Sequence, residues 1–176
     1  PPWPSVQVVA RPINRAVGNM RAKGHDVQVH NAGQTGDTTA GALQRFNRAI
    51  PGVANVALVE FGINDLRSGV PIKTIEENIA RIVRTLHARR IQVLVIGLLE
   101  LDLSAVAKAN GVPYAQWSFP PGQYRASDGE HINGEGYGIL VERMLPAVEA
   151  LIARAKSGVD PRSRRVDEHP GAHHRL

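Results

Sequence analysis

Short apolar runs alternate with longer helical patterns along most of this chain, and this alternation constrains its fold more than any other feature. Four runs rich in β-branched residues are typical of buried strands; they are residues 27–31, 56–61, 92–97 and 112–117. Strands that alternate with helices predict βαβ units, in which helices cover both faces of a parallel sheet. The sequence therefore predicts an α/β protein. Residues 6–10 are a further candidate strand.

Helical patterns fill the segments between these strands. The pattern over residues 74–89 is the clearest, because its apolar residues recur at the spacing of one helix face. Asp37 is a suitable N-cap for a helix over residues 38–50. The remaining predicted helices cover residues 12–23, 101–110 and 137–155, and Gly111 is expected to end the second of these.

Size and composition fit one globular domain. The chain has 176 residues, of which 43% are hydrophobic and 21% charged, which is enough for one core. Residues 1–156 are predicted to form this domain. Residues 157–176, rich in Pro, Gly, Arg and His and without apolar periodicity, are predicted to be a disordered polar tail. The chain has no cysteine, which excludes disulfides, thiolate nucleophiles and Cys-ligated metals.

The net charge of +5 is not by itself a sign of nucleic-acid binding. The basic residues are scattered, and aromatic residues make up only 5% of the chain, too few for a base-stacking surface. No apolar run is long enough for a membrane span. We therefore expect no nucleic-acid partner and no membrane span. The sequence leaves the location open: periplasmic or secreted if a signal segment has been lost, and otherwise cytoplasmic.

Three polar motifs follow predicted strands, where the carboxyl ends of parallel strands form a ligand crevice. They are residues 33–38, 62–66 and 128–131. In the last of them, Asp128 could orient His131 as a general base, because an imidazole with a pKa of about 6.5 exchanges protons near neutral pH. The same residues also fit an Asp-Gly turn before a helix, and the residues alone leave both interpretations open.

The other two motifs supply hydrogen-bond donors. The Asn64 side chain follows a strand exit at Gly62, where it could donate to an oxyanion. The alternative is a simple turn in which Asp65 caps the segment that follows. Gly36 lies in a loop that enters a helix, where backbone N–H groups converge and favour anions.

Together these motifs resemble those of the SGNH, or GDSL-type, hydrolase family of esterases and lipases. The family's second block is similar to residues 31–39, its third block, Gly-x-Asn-Asp, to residues 62–65, and its fifth block, Asp-x-x-His, to residues 128–131. The resemblance extends over residues 12–152. It implies a flavodoxin-like three-layer α/β/α sandwich, a small-molecule ester substrate, and neither a metal nor an organic cofactor.

The resemblance also implies roles for particular residues. The Gly36 N–H and the Asn64 amide would form the oxyanion hole, and Asp128 and His131 would complete a catalytic triad. The chain departs from the family at its first block, Gly-Asp-Ser, which carries the nucleophile at the end of the first strand. Here residues 6–10 are followed by Arg11, so the first strand is either missing or replaced by residues 6–10.

No serine or threonine stands where the nucleophile belongs. Ser5 lies at the opposite end of residues 6–10, roughly 15–20 Å from the site by strand geometry. Ser68 has no activating neighbour in the sequence, and Thr38 and Thr39 fit helix capping better than attack. The nucleophile is therefore unassigned. If a central strand were missing, the sheet would carry two unpaired edges and the fold would be poorly stable.

Three functions follow from this pattern. The first is a serine ester hydrolase for small acyl or aryl esters or lysophospholipids, whose nucleophile segment is lost by truncation, a mis-assigned start or a gene defect. The second is an inactive fragment or pseudoenzyme that binds a ligand in the same crevice. The third is a hydrolase in which His131 activates water directly.

Overall fold

The structure is a computed structural model that describes residues 6–10, 21, 23–117, 122–124, 126–127 and 133–163. Its strands are β1 (Val6–Ala10), β2 (Val27–Asn31), β3 (Val56–Glu60), β4 (Gln92–Leu98) and β5 (Tyr114–Trp117). Its helices in the described residues are α1 (Thr39–Ala49), α2 (Ile63–Arg67), α3 (Ile72–Ala88), α4 (Ser104–Ala109) and α5 (Gly134–Lys156). The predicted helix over residues 12–23 lies almost wholly outside the described residues.

The strands form one parallel sheet with the order β2-β1-β3-β4-β5. This confirms the predicted α/β class, and the order is that of flavodoxin-like sheets. The chain runs from β1 to β2 on one side of the sheet and from β3 to β4 on the other, so the topological switch point lies between β1 and β3. A ligand crevice is expected outside the carboxyl ends of these two strands.

Residues 6–10 occupy the interior of the sheet. Val6–Ala10 pairs along its whole length with β2, and Val8 and Val9 pair with Val56 and Ala57 of β3. The alternative in which residues 6–10 supply the first strand is thus confirmed. The expectation of a missing central strand with two unpaired edges is wrong, because β1 fills that position.

The side chains of the central strands point alternately to the two faces of the sheet, because a strand is pleated, and they pack into two separate cores. One face of the sheet packs Ala57, Val59, Val93 and Val95 against α1, α3 and α4. The opposite face packs Val56, Leu58, Leu94 and Ile96 against α5. Helices therefore cover both faces, which completes the three-layer α/β/α arrangement.

Two element boundaries differ from the predictions for local reasons. Thr38, not Asp37, is the N-cap of α1, because the Thr38 hydroxyl accepts from Gly41 N while the Asp37 carboxylate is held elsewhere. Strand β5 begins at Tyr114, not at residue 112. Val112 N donates to Ala107 O at 3.1 Å and so belongs to the end of α4, and the residue after it is a proline, which has no N–H.

Residues 157–163 continue beyond α5 as turns that pack on the domain. Val159 O accepts from Gln92 Nε2 at 2.8 Å, and Pro161 is buried. This part of the predicted tail is therefore in contact with the start of β4. Residues 164–176 lie outside the described residues. In the described part of the chain, none of the helices has the length and apolar character that crossing a membrane requires.

Candidate active site

The loops after β2 and β3 meet at the carboxyl edge of the sheet, beside the switch point. They border a cleft of about 270 Å³. The described residues that line it are Asp37, Glu60, Phe61, Gly62, Ile63, Asn64 and Leu98. Two of the predicted motifs, residues 33–38 and 62–66, are thus brought together as the parallel sheet requires.

A side-chain hydrogen bond joins the two loops directly. Asn64 Nδ2 donates to Asp37 O at 2.8 Å, which places the amide beside the residue that follows Gly36. A carboxamide nitrogen carries two N–H groups, and this bond uses one of them. The second N–H is the donor that Asn64 can offer to a bound ligand.

Gly36 presents its backbone at the same place. Its φ is 76°, a left-handed conformation that glycine adopts without penalty. No hydrogen bond to a described residue engages the Gly36 N–H, and no described atom lies close to the position that a Cβ would take. Gly36 therefore has an N–H that no described residue engages, one residue before the carbonyl that Asn64 contacts.

Arg45 holds the Gly36 loop in shape. Its Nε and Nη2 donate to Asp37 Oδ2 at 2.7 and 2.5 Å, and its Nη1 donates to Ala32 O at 2.8 Å. One guanidinium thus ties both ends of the loop to α1. Sequence reasoning missed Arg45; the available signal was an acidic residue before a helix with an arginine two turns into it.

Asp65 fixes the end of the same loop, at the start of α1. Its carboxylate is buried and accepts from Thr39 N at 2.9 and 3.2 Å and from Thr39 Oγ1 at 2.5 Å. Asn78 Nδ2 donates to Thr39 Oγ1 at 2.9 Å. Asp65 therefore caps the amino end of α1, not the segment that follows Asp65 in the sequence. The network ties α1, α2 and α3 together under the site.

Gly62 is required by packing. Its φ is 108°, and a Cβ at this position would lie 2.6 Å from Leu101 Cδ2 and 2.8 Å from Ile75 Cγ2. Contacts this short do not occur in real structures, so a larger residue would displace the core. The backbone of Gly62 thus lies directly against the core.

The other sequence candidates fall in different places. Thr38 is the N-cap of α1, which agrees with the capping role predicted for it. Thr39 does not cap the helix, because its hydroxyl donates to Asp65. Ser68 is the exposed C-cap of α2. Asp128 and His131, like Ser5, lie outside the described residues. In the part of the chain that the structure describes, no three His, Asp or Glu side chains are grouped to hold a metal ion.

The order of the sheet and the helices on its two faces define the class of protein: a three-layer α/β/α domain with a cleft at its carboxyl edge. The model of the GDSL-like lipase/acylhydrolase family matches residues 6–139. The chain therefore belongs to this family, which is one of carboxylic ester hydrolases.

Solved structures agree with this fold. The chain is similar to a psychrotrophic esterase, EstA from Pseudoalteromonas sp., with 14% identity, a TM-score of 0.73, and coverage of 85% of this chain and 100% of that one. It is also similar to a Clostridium thermocellum family 3 carbohydrate esterase, with 12% identity, a TM-score of 0.71, and coverage of 85% and 98%. It is similar to TesA as well, with 24% identity, a TM-score of 0.67, and coverage of 83% of this chain and 98% of that one. No curated protein matches the sequence.

Proposed function

We propose that this chain hydrolyses small acyl or aryl esters, or lysophospholipids, with the Gly36 N–H and the Asn64 amide as its oxyanion hole. The observation that carries the proposal is the 2.8 Å bond from Asn64 Nδ2 to Asp37 O, which ties the amide to the residue that follows Gly36. The N–H of Gly36 itself is engaged by no described residue. Two donors aimed at one point stabilise the oxygen of a tetrahedral intermediate as it becomes negative.

The surrounding contacts support this role because they fix both donors before a substrate arrives. Arg45 holds the Gly36 loop, and Asp65 holds the start of α1 below it. Donors that need no reorganisation during the reaction contribute most to catalysis.

Proton transfer falls to His131 in this proposal. Its imidazole takes the proton of the attacking group and returns it to the leaving alcohol, while Asp128 orients the ring and stabilises the imidazolium. These roles rest on the Asp-x-x-His motif of the sequence. The attacking group is either a serine hydroxyl, which gives an acyl-enzyme, or water activated by His131.

Fluorophosphonate labelling separates these two routes. One structural neighbour is an esterase inhibited by monoethylphosphonate, which supports a phosphorus probe. The full chain is incubated with the probe, and peptide mass spectrometry is combined with a p-nitrophenyl acetate assay. A labelled serine with matching loss of turnover identifies the nucleophile. Turnover without labelling indicates direct attack by water. A folded protein that shows neither overturns the hydrolase proposal.

A second candidate function is a pseudoenzyme that binds an acyl ligand or an acetylated sugar in the same cleft. The observation that favours it is the sequence after β1, where Arg11 and Pro12 follow Ala10 and no serine follows the strand directly. A pseudoenzyme would bind a non-hydrolysable ester analogue without any turnover. Weaker analogue binding in the Asn64→Ala variant would place that ligand in the cleft.

A further inference from the structure

A second cavity lies at the other edge of the sheet, away from the candidate active site. It has a volume of about 1150 Å³ and is open to solvent. Residues at the amino ends of β4 and β5 line it, together with one side of α4, the second half of α5 and the turn at residues 161–163. Gly36 and Asn64 belong to loops at the carboxyl edge, so the two sites are separate.

The inner wall of this cavity is apolar. Pro113, Ala147 and Ala150 are exposed or half-buried and give it an accessible apolar surface, and the buried side chains of Val93, Val112 and Leu151 complete the lining. Apolar walls of this kind favour the transfer of hydrocarbon out of water. The wall alone would accept any apolar group.

Two cations give the cavity its chemical character. Lys108 on α4 and Arg154 on α5 both line it. Within the described part of the chain, no carboxylate lies within ion-pair distance of either side chain. Asp160, the acidic residue of the neighbouring turn, is paired with Arg162 at 2.6 Å. The cavity therefore combines an apolar wall with two positive charges that are not neutralised by the described residues.

Two hydrogen bonds orient the Arg154 side chain. Its Nε donates to Gln92 Oε1 at 3.3 Å, and its Nη2 donates to Ser163 O at 3.4 Å. Gln92 is buried and is fixed in turn by its bond to Val159 O at 2.8 Å. A guanidinium has five N–H donors, so several remain for a ligand. An oriented cation of this kind is a preformed anion site.

We propose that this cavity binds an amphiphilic carboxylate, namely a medium-chain alkanoate, with its chain against Pro113, Ala147 and Ala150 and its carboxylate between Lys108 and Arg154. The alkyl chain of such a ligand contacts the apolar wall while its carboxylate pairs with the two cations. A neutral amphiphile would leave the two charges unpaired, and a small anion would leave the apolar wall in water. The proposal depends on this cavity alone and not on the chemistry of the cleft near Asn64.

Isothermal titration calorimetry on the full chain tests the proposal, with decanoate below its critical micelle concentration as the probe. Decan-1-ol supplies the chain without the charge, and acetate supplies the charge without the chain. We expect saturable one-site binding of decanoate and at least tenfold weaker binding of the other two compounds. A charge-assisted contact accounts for a difference of this size.

Variants locate the site. Lys108→Gln and Arg154→Gln should each weaken decanoate binding about five- to tenfold. Ala150→Trp should abolish it, because Ala150 is exposed and lines the cavity. Arg143→Gln removes an exposed charge from the same helix and serves as the matched control, with no change expected. Lys108 is exposed, so its variant keeps the test valid if Arg154→Gln fails to fold.

Several results would overturn the proposal. These are equal binding of decanoate and decan-1-ol, equal weakening by Arg143→Gln and Lys108→Gln, or the absence of saturable binding. Loss of binding in Asn64→Ala, with Lys108→Gln unchanged, would also overturn it, because the ligand would then occupy the cleft at the carboxyl edge. None of these results bears on whether the chain hydrolyses esters.

Discussion

Asn64 is the side chain on which the candidate oxyanion hole most depends, because it both joins the two loops and offers a donor to the ligand. Its bond to Asp37 O fixes the orientation of the amide. Gly36 contributes through its backbone, which no side-chain substitution removes, so Asn64 is the donor that mutagenesis can test. The sequence motif predicted the amide but not the bond that orients it.

We expect Asn64→Ala to lower kcat for p-nitrophenyl acetate roughly 10²- to 10³-fold with little change in KM, because the lost N–H acts on the developing oxyanion. Steady-state kinetics measures both constants. Asn47→Ala, at an exposed position on α1, is the control and should retain the parent values. An effect confined to KM would assign Asn64 to substrate positioning instead.

A second prediction at this scale concerns the buried carboxylate of Asp65. Asp65→Asn keeps the shape but presents an NH₂ group to donors of Thr39, so we expect a loss of about 1.5–3 kcal/mol in the free energy of unfolding. Urea denaturation measures it. Asp26→Asn, at an exposed position, should change stability far less. Equal effects in the two variants would show that Asp65 does not anchor α1.

At the scale of elements, three helices end with the same hydrogen-bond pattern. In α3, Arg90 N donates to His87 O and Ile91 N donates to Leu86 O, and the ends of α4 and α5 repeat these two bonds. This Schellman pattern places one residue in the left-handed region. That residue is Gly111 after α4 and Gly158 after α5, but it is Arg90, with φ 61°, after α3.

Arg90→Gly should therefore stabilise the protein, because a residue with a Cβ is strained in this conformation. We expect a gain of about 0.5–1 kcal/mol after the entropy of a glycine in the unfolded chain is subtracted. Thermal unfolding measures the gain as a higher Tm. Arg90→Ala retains the strain and should show no gain; an equal rise in both variants would trace the effect to the lost charge.

The helix ends show where sequence reasoning succeeds and where it stops. Gly111 was predictable as the end of α4 because glycine favours the left-handed residue of the cap. The left-handed residue at the end of α3 is Arg90, and an arginine gives no indication in the sequence that a helix ends there. The five-residue helix α2 is too short for a periodic pattern, and the start of β5 depends on Val112 N being used by α4. Tertiary hydrogen bonds, not local propensity, set these boundaries.

At the scale of the whole molecule, the convergence of the motifs was predictable because parallel strands bring their carboxyl ends to one edge. The sequence thus predicted that residues 33–38 and 62–66 would meet, and the structure confirms this. The clamps of Arg45 and Asp65 were not predictable. They depend on how α1, α2 and α3 pack, and no periodic pattern encodes a contact between distant side chains.

His87, which is buried at the end of α3, is expected to make the stability of the molecule depend on pH. Burial lowers the pKa of His87 below its usual value; nearby Asp160 opposes this effect, and Arg162 adds to it. Since the unfolded chain then binds a proton at higher pH than the folded protein, this contribution to stability is complete above a pH of about 6.5. It is lost as the pH falls below that value.

We therefore expect the Tm of the parent protein to fall between pH 7.5 and pH 5.5 more steeply than that of His87→Gln, which cannot ionise. Differential scanning calorimetry across this range measures the two slopes. Parallel slopes for the parent and His87→Gln would contradict the assignment.

The most direct test of the central claim, that this chain is an ester hydrolase with His131 as its base, is p-nitrophenyl acetate turnover by the parent and by His131→Ala. The account predicts measurable turnover by the parent, loss to the uncatalysed rate in His131→Ala, and parent activity in the control His25→Ala. Undiminished turnover in His131→Ala, or no turnover by the folded parent, would contradict it.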